Sequence, residues 1–265
     1  MVLLNFAITI AGSDSISGAG IQEDLKTCTM LGVYCFTVIT SITAQNTYEV
    51  RDIFDIPENM VGSQIDAVLN DVNVKYGKTG MLSNSKIIKT VSEKIREYGL
   101  KLVVDPVMVA KSGAHLVKED SIKALIDFII PISYFITPNL DEAEVILNEK
   151  IRSVKDMENA ALKLYDLGPQ VVIIKGGHLN SDFVTDIYYD GKEILKYTFP
   201  KIKTKNTHGA GCTLSSAIAS YLSKGYSNKT AFSKARNFMQ MAIENNIEFG
   251  HGHGPLNPMY RIKFH

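Results

Sequence analysis

The chain has 265 residues, and its 28 lysines and arginines are balanced by 28 aspartates and glutamates. Hydrophobic residues make up 45% and charged residues 21%, an ordinary globular usage that excludes disordered and low-complexity classes. A balanced charge with no basic stripe argues against a nucleic-acid binder, and no apolar run reaches the ~20 residues of a membrane span.

Residues 1–10 are apolar with no basic lead, and they run into Gly12-Ser13-Asp14 without a small-residue cleavage pattern. They predict a first buried strand rather than a signal peptide. Further apolar runs follow at 34–40, 72–79, 100–105, 134–137 and 171–175. Runs without polar alternation are the pattern of strands covered on both faces. Helix-length stretches at 21–31, 84–98, 119–130 and 154–167 separate them. Two β-prone runs around Asp190-Gly191 predict a hairpin over 186–197. Two helices, 210–223 and 229–246, close the pattern. Strand and helix in regular order predict one α/β domain over 1–265: a central mostly parallel sheet, helices on both faces, and an antiparallel edge hairpin.

In such sheets ligands bind beyond the carboxyl ends of the strands. Here those ends carry Gly12-Ser13-Asp14, Thr43-Ala44-Gln45-Asn46, Gly80-Met81, Asp105-Pro106-Val107-Met108, Thr137-Pro138-Asn139 and Lys175-Gly176-Gly177-His178. Turn chemistry explains part of this set. The gathering of carboxylates, amides and a lysine on one edge predicts a shared site.

The sharpest segment is Asn206-Thr207-His208-Gly209-Ala210-Gly211-Cys212-Thr213-Leu214, opening a helix. Gly209 and Gly211 lack a Cβ, so backbone amides there approach a ligand closely. Together with the unpaired first amides of the helix they predict an anion site. A phosphoryl group in flight, its charge spread over three oxygens, suits fixed donors of this kind. A plain glycine-rich helix start with Thr207 as cap is the structural alternative. Two commoner nucleotide signatures are absent: Leu214 stands where a dinucleotide fingerprint has its third glycine, and Val72 stands where a P-loop ending in Gly77-Lys78-Thr79 has its first. Three cysteines without a CxxC pair, Cys28, Cys35 and Cys212, predict free thiols in a reducing cytosol. His251 and His253 have no partners to complete a zinc set and predict a shaped loop bordering the nucleotide.

Gly-Ala-Gly-Cys at the mouth of a late helix resembles the anion hole of the ribokinase superfamily, with cysteine in place of the usual aspartate. That replacement is similar to the hydroxymethylpyrimidine/phosphomethylpyrimidine kinase branch and its pyridoxal-kinase-like relatives. Further matching segments are Ala11-Gly12-Ser13-Asp14 with Gly18-Ala19-Gly20, Lys78-Thr79-Gly80-Met81, Asp105-Pro106-Val107-Met108, Asn139-Leu140-Asp141-Glu142, and Gly252-His253-Gly254-Pro255. The chain departs at Ile16-Ser17, where the family is richer in glycine, and at Asp141, where many relatives carry proline.

The resemblance implies a ribokinase-like three-layer sandwich and an ATP- and magnesium-dependent kinase. It would act on a pyrimidine alcohol and then on the monophosphate, in the cytoplasm, as a possible homodimer. Cys212 would be the general base beside an anion hole of Gly209, Ala210 and Gly211, its thiol drawn toward neutrality by the helix N-terminus. Gly12, Asp24, Ala44, Gln45, Met81 and Val107 would hold the pyrimidine, with Gln45 offering both a donor and an acceptor. Asn139, Lys175, Gly177 and Thr207 would hold ATP, Asp105 and Glu142 magnesium, and Lys111 would belong to a lid. Pyridoxal or pyridoxine kinase on the same scaffold, and a pyrimidine- or nucleotide-sensing module without catalysis, are the competing readings.

Overall fold

A computed structural model describes residues 4–108, 119–177 and 181–262. The candidate lid residue Lys111, and His178, lie outside the described residues. The chain opens with β1 (Asn5–Asp14), α1 (Gly20–Met30), β2 (Val33–Gln45), β3 (Val50–Asp55) and α2 (Glu58–Leu69). It continues through β4 (Tyr76–Thr79), α3 (Ser85–Tyr98), β5 (Lys101–Val104), α4 (Glu119–Ala124) and β6 (Phe135–Ile136). Then come α5 (Leu140–Leu147), α6 (Val154–Tyr165), β7 (Val171–Ile174), β8 (Phe183–Tyr189), β9 (Ile194–Pro200), α7 (Ala210–Ser223) and α8 (Asn228–Glu244).

The strands form one sheet in the order β3-β2-β1-β4-β5-β6-β7-β8-β9. It is parallel from β2 to β7, with β3 antiparallel at one edge and the β8–β9 hairpin at the other. Successive side chains of the inner strands enter opposite cores, as the twofold period of a strand requires. Leu102, Val104, Val172 and Ile174 join α2, α3 and α6 on one face. Val103, Val171 and Ile173 join Leu214, Ile218 and Phe232 of α7 and α8 on the other. All four side chains of β7 are fully buried, each worth ~1.5–3 kcal/mol.

Helix boundaries follow local chemistry. Asn84 Oδ1 accepts from the Lys86 and Ile87 amides at 3.1 and 3.0 Å to start α3, which stops at left-handed Gly99 (φ 63°). Ser153 and Asp156 form a reciprocal capping box on α6.

Three expectations need correction. The run 72–79 is a strand only from Tyr76, because the chain leaving α2 still winds at Val72, whose amide donates to the Val68 carbonyl at 2.9 Å. The second strand continues past residue 40 to Gln45, so Thr43 to Gln45 are ladder residues facing β3 rather than a loop. The helix over 119–130 is α-helical only to Ala124; a π turn at Leu125–Ile129 and a 3-10 turn at Ile130–Ile132 follow. Among the described residues no helix is long and apolar enough to cross a membrane.

Candidate active site

A cleft of about 470 Å³ opens where β1, β4, β5 and β7 end and α7 begins. Gly209 sits at the N-cap of α7 with φ 86°. A Cβ there would collide with the Gly18 carbonyl and lie 3.3 Å from Glu23 Cγ. Only glycine lets this turn close on the 14–20 loop. Gly211 is equally crowded: a Cβ would stand 2.7 Å from Asp105 Oδ2 and 3.3 Å from Lys175 Nζ. The Ala210 amide is used by the Thr207 carbonyl (3.2 Å) and the Thr213 amide by Gly209 (2.8 Å). Among the described residues the intervening amides of Gly211 and Cys212 meet no backbone acceptor outside the helix, the Thr207 carbonyl taking Ala210 and the His208 carbonyl Leu256, so the mouth of α7 retains donors for an anion.

Cys212 lines the same cleft with 8% of its surface exposed. Burial pushes its thiol up to about 12, opposed by Lys78 and reinforced by Asp24 and Asp105. The expected shift toward neutrality is therefore reversed. Desolvation of the thiolate exceeds what the helix terminus and the Gly20 amide return.

On the opposite wall, the Asn139 side chain accepts from the Glu142 amide and the Glu142 carboxylate from the Asn139 amide, both at 2.8 Å. This capping box starts α5 and fixes the carboxylate of Glu142. Lys175 Nζ lies 2.8 Å from Asp105 Oδ1 and 3.8 Å from Glu142 Oε2. Burial pushes Glu142 up to about 7; Lys175 opposes that and Asp105 adds to it. For Lys175, burial pulls the ammonium down, and the two carboxylates outweigh it and raise it. Among the described residues no group of three or more potential ligands is placed to hold a metal. Two carboxylates nevertheless suit magnesium, which binds through one or two of them, its own waters and substrate phosphates.

Gly12, Gln45, Met81, Asp105, Val107, Asn139, Glu142, Lys175, Gly177, Thr207, Gly209, Ala210, Gly211 and Cys212 all border this cleft. Two residues expected at the pyrimidine do not. Ala44 faces solvent in β2, because the strand runs on through it and opposes Asp52. Asp24 is fully buried, bonded to Thr9 and Lys78, and cannot meet a ligand in this conformation.

Residues beyond the expected set also border the cleft. Asp14 and His208 contact each other at 3.0 Å at its rim. At the far end Arg236 Nε meets Asp186 Oδ2 at 2.6 Å, both side chains 2% exposed, and the guanidinium stacks on Phe199 at 4.0 Å. An arginine on the apolar face of a late helix was the available signal for that pair. The His251 and His253 loop packs against the β2–β3 turn: the Gly252 amide donates to Thr47 Oγ1 at 3.1 Å, and His251 stacks on Tyr48.

A sequence profile for phosphomethylpyrimidine kinase matches residues 14–257. The chain is 46% identical over 253 residues to a hydroxymethylpyrimidine/phosphomethylpyrimidine kinase of Bacillus subtilis (strain 168), covering 95% of this chain and 93% of that protein. A crystal structure of phosphomethylpyrimidine kinase from Clostridium difficile 630 superposes with a TM-score of 0.82 at 42% identity, over 90% of this chain and 99% of that one. An ADP complex of Bacillus subtilis pyridoxal kinase gives a TM-score of 0.92 at 36% identity, over 98% and 99%. With a profile match over residues 14–257, a ribokinase-like architecture and a glycine-lined helix mouth, the chain belongs to the phosphomethylpyrimidine kinase family.

Proposed function

We propose that this kinase moves the terminal phosphoryl group of ATP onto the hydroxymethyl arm of 4-amino-5-hydroxymethyl-2-methylpyrimidine. It then phosphorylates the monophosphate to the pyrophosphate used for thiamine. One observation carries the reading: the anion-accepting mouth of α7, the Cys212 thiol, the Gln45 carboxamide and the Lys175 ammonium border a single cleft. The acceptor ring lies between Met81 and Val107 with Gln45 at its edge and Gly12 beneath. The apolar far end, bordered by Val184, Ile202, Met239 and Ile243, takes the base of ATP. Asn139, Gly177 and Thr207 line the path between them.

The amides of Gly211 and Cys212 receive the migrating group's charge, and Lys175 turns from its carboxylates to the phosphates. Asp105 and Glu142 would hold magnesium, which neutralises phosphate charge when bound. Cys212 takes the hydroxyl proton late. It does so as the thiolate, the resting thiol having first released its own proton to solvent. In a loose transition state the acceptor bond is barely formed, so little is asked of the base until late and positioning sets the rate. Lys111 would close over the site. The second transfer needs room for a dianion, for which the α7 mouth is our assignment.

The pyridoxal kinase similarity, at a TM-score of 0.92, favours one second reading, phosphorylation of a hydroxypyridine alcohol. A sensing role without transfer leaves Cys212 and Lys175 without a task. Phosphate transfer from ATP to the aminopyrimidine alcohol, its monophosphate and pyridoxal decides among the three. Transfer to both pyrimidines supports the first reading, transfer to pyridoxal alone the second, and tight binding without ADP release the third. We place the enzyme in the cytoplasm as a homodimer. The exposed apolar side chains Ile42, Phe54 and Met60 are the surface for the second copy, and a monomer in sedimentation equilibrium would refute that.

A further inference from the structure

The side chain of Gln45 lies between two groups whose own bonds dictate which way its amide must face. Asp14 Oδ2 accepts from the Gly18 and Ala19 amides at 3.1 and 2.8 Å, and Oδ1 from the Ile16 amide at 3.0 Å. A carboxylate engaged by three backbone donors has acceptor capacity only. His208 Nε2 stands 3.0 Å from the same Oδ2, so this nitrogen must carry a hydrogen and donate it. Gln45 Nε2 lies 3.2 Å from that nitrogen, a donor facing a donor. Only the carbonyl oxygen, brought there by turning the carboxamide over, can use the remaining share of the N–H.

The other side gives the same answer. Thr43 Oγ1, 3.4 Å from Gln45 Oε1, spends its single hydrogen on the nearer Ser13 carbonyl at 2.9 Å. Toward Gln45 it can only accept, so the amide nitrogen belongs on its side. With the carboxamide turned over, oxygen to His208 and nitrogen to Thr43, all four groups are satisfied; with nitrogen to His208 and oxygen to Thr43, a donor faces a donor and an acceptor faces an acceptor. The Gln45 backbone cannot shift to escape this. Its amide donates to Ser15 Oγ at 2.8 Å and its carbonyl accepts from the same hydroxyl at 2.7 Å.

We infer that Asp14 and His208, with Thr43 opposite, are positioning residues that lock the Gln45 carboxamide in one orientation and so fix the donor–acceptor order the cleft offers to a ring edge. One amide lone pair and one amide hydrogen then remain for the ligand, in a set sequence. An amino group beside a ring nitrogen matches that pair in one sense only. A hydroxypyridine edge, with its phenolic oxygen, does not reproduce it. Discrimination between the two heterocycles thus originates in a carboxylate and an imidazole that need not touch the ring. The inference rests on the aminopyrimidine reading above for its substrate, but the amide orientation itself does not.

The test has two arms. In ligand-free protein with ¹⁵N-labelled histidine, long-range ¹H–¹⁵N spectra should show His208 protonated at Nε2; a proton on Nδ1 alone overturns the inference. In kinetics, Asp14→Asn and His208→Gln should each lower the ratio of kcat/KM for the aminopyrimidine alcohol over that for pyridoxal by about 10-fold or more, through KM for the pyrimidine. Equal losses for both alcohols would mean a structural role only and would also overturn it. If wild type fails to phosphorylate the pyrimidine, the proposed function falls, while the spectra still judge the orientation. The spectra need no variant, so a variant that fails to fold leaves the first arm decisive.

Discussion

Lys78 and Asp24 form a two-pronged ion pair sealed inside the protein, with Nζ 3.0 and 2.9 Å from the two carboxylate oxygens and side-chain exposures of 1% and 0%. Burial alone would pull the lysine below its usual range. The Asp24 carboxylate, with Cys212 and Asp105 nearby, outweighs burial and raises it. Thr9 adds a hydroxyl bond to Asp24 at 2.6 Å, and the space over Nζ exists because residue 80 is glycine. Removing one partner strands a buried charge, at about 3–5 kcal/mol. Lys78→Met should lower the denaturant midpoint accordingly, and adding Asp24→Asn should recover part of the loss. A single variant as stable as wild type would show that the pair contributes nothing.

The resting thiol of Cys212 should be protonated at neutral pH. Its alkylation by iodoacetamide, followed on the tryptic peptide, should rise about tenfold per pH unit from 7 to 10 without levelling, where an ordinary thiol levels near ~8.5. A plateau below pH 9 would contradict the burial argument. Cys212→Ala should lower turnover by ~10²–10⁴ while ATP binding, measured by calorimetry, persists.

Glu142 has two tasks, capping α5 and facing the magnesium position. Glu142→Gln preserves much of the cap and removes the charge, so the magnesium concentration for half-maximal rate should increase severalfold. An unchanged metal dependence would leave Glu142 with the cap alone.

Glu23 is fully buried behind the α7 mouth, accepting from Thr213 Oγ1 at 2.7 Å and meeting Lys26 Nζ at 2.7 Å. Burial pushes it up to about 7 from 4.5, with Lys26 and Thr213 opposing. Between those values the folded chain holds a proton that the unfolded chain has lost, so stability declines as pH rises through the folded value. Below about 4.5 the contribution is intact; above about 7 it is gone. Chemical denaturation from pH 4.5 to 8 should show Glu23→Gln gaining on wild type as pH rises. A constant difference between the two would remove Glu23 from the pH response.

Gly209→Ala forces a side chain into a left-handed turn and against the Gly18 carbonyl. The helix mouth must shift, and a displacement of about 1 Å at a reacting group costs on the order of 10²-fold in rate. Steady-state turnover should fall by that order while far-ultraviolet circular dichroism stays native. Full activity would mean that the mouth tolerates displacement.

Strands such as β7, where every side chain is apolar, and helix α7, opened by Gly209 and filled with small residues, were legible in sequence because one physical demand dominates each. Edge strand β3 was not. Val50-Arg51-Asp52-Ile53-Phe54-Asp55 buries no side chain fully, so it carries no apolar run, and its pairing with β2 also hid the true end of that strand. At the site, residues that face a ligand through glycine turns were visible by composition. Those that act through a tertiary partner were not. Asp24 reads as any helical carboxylate until Lys78, 54 positions away, folds against it. Asp14 and His208 are 194 positions apart, and no local pattern announces their meeting.

The segment around Pro255 reaches back across the chain. It bridges His208, its Gly254 amide donates to Asn206 Oδ1, and the His253 amide donates to the Thr47 carbonyl. The rim residue His208 is thus anchored from both of its backbone groups, its amide donating to the Gly254 carbonyl and its carbonyl accepting from the Leu256 amide, so shortening the chain before residue 254 would release the imidazole from the strap that seats it.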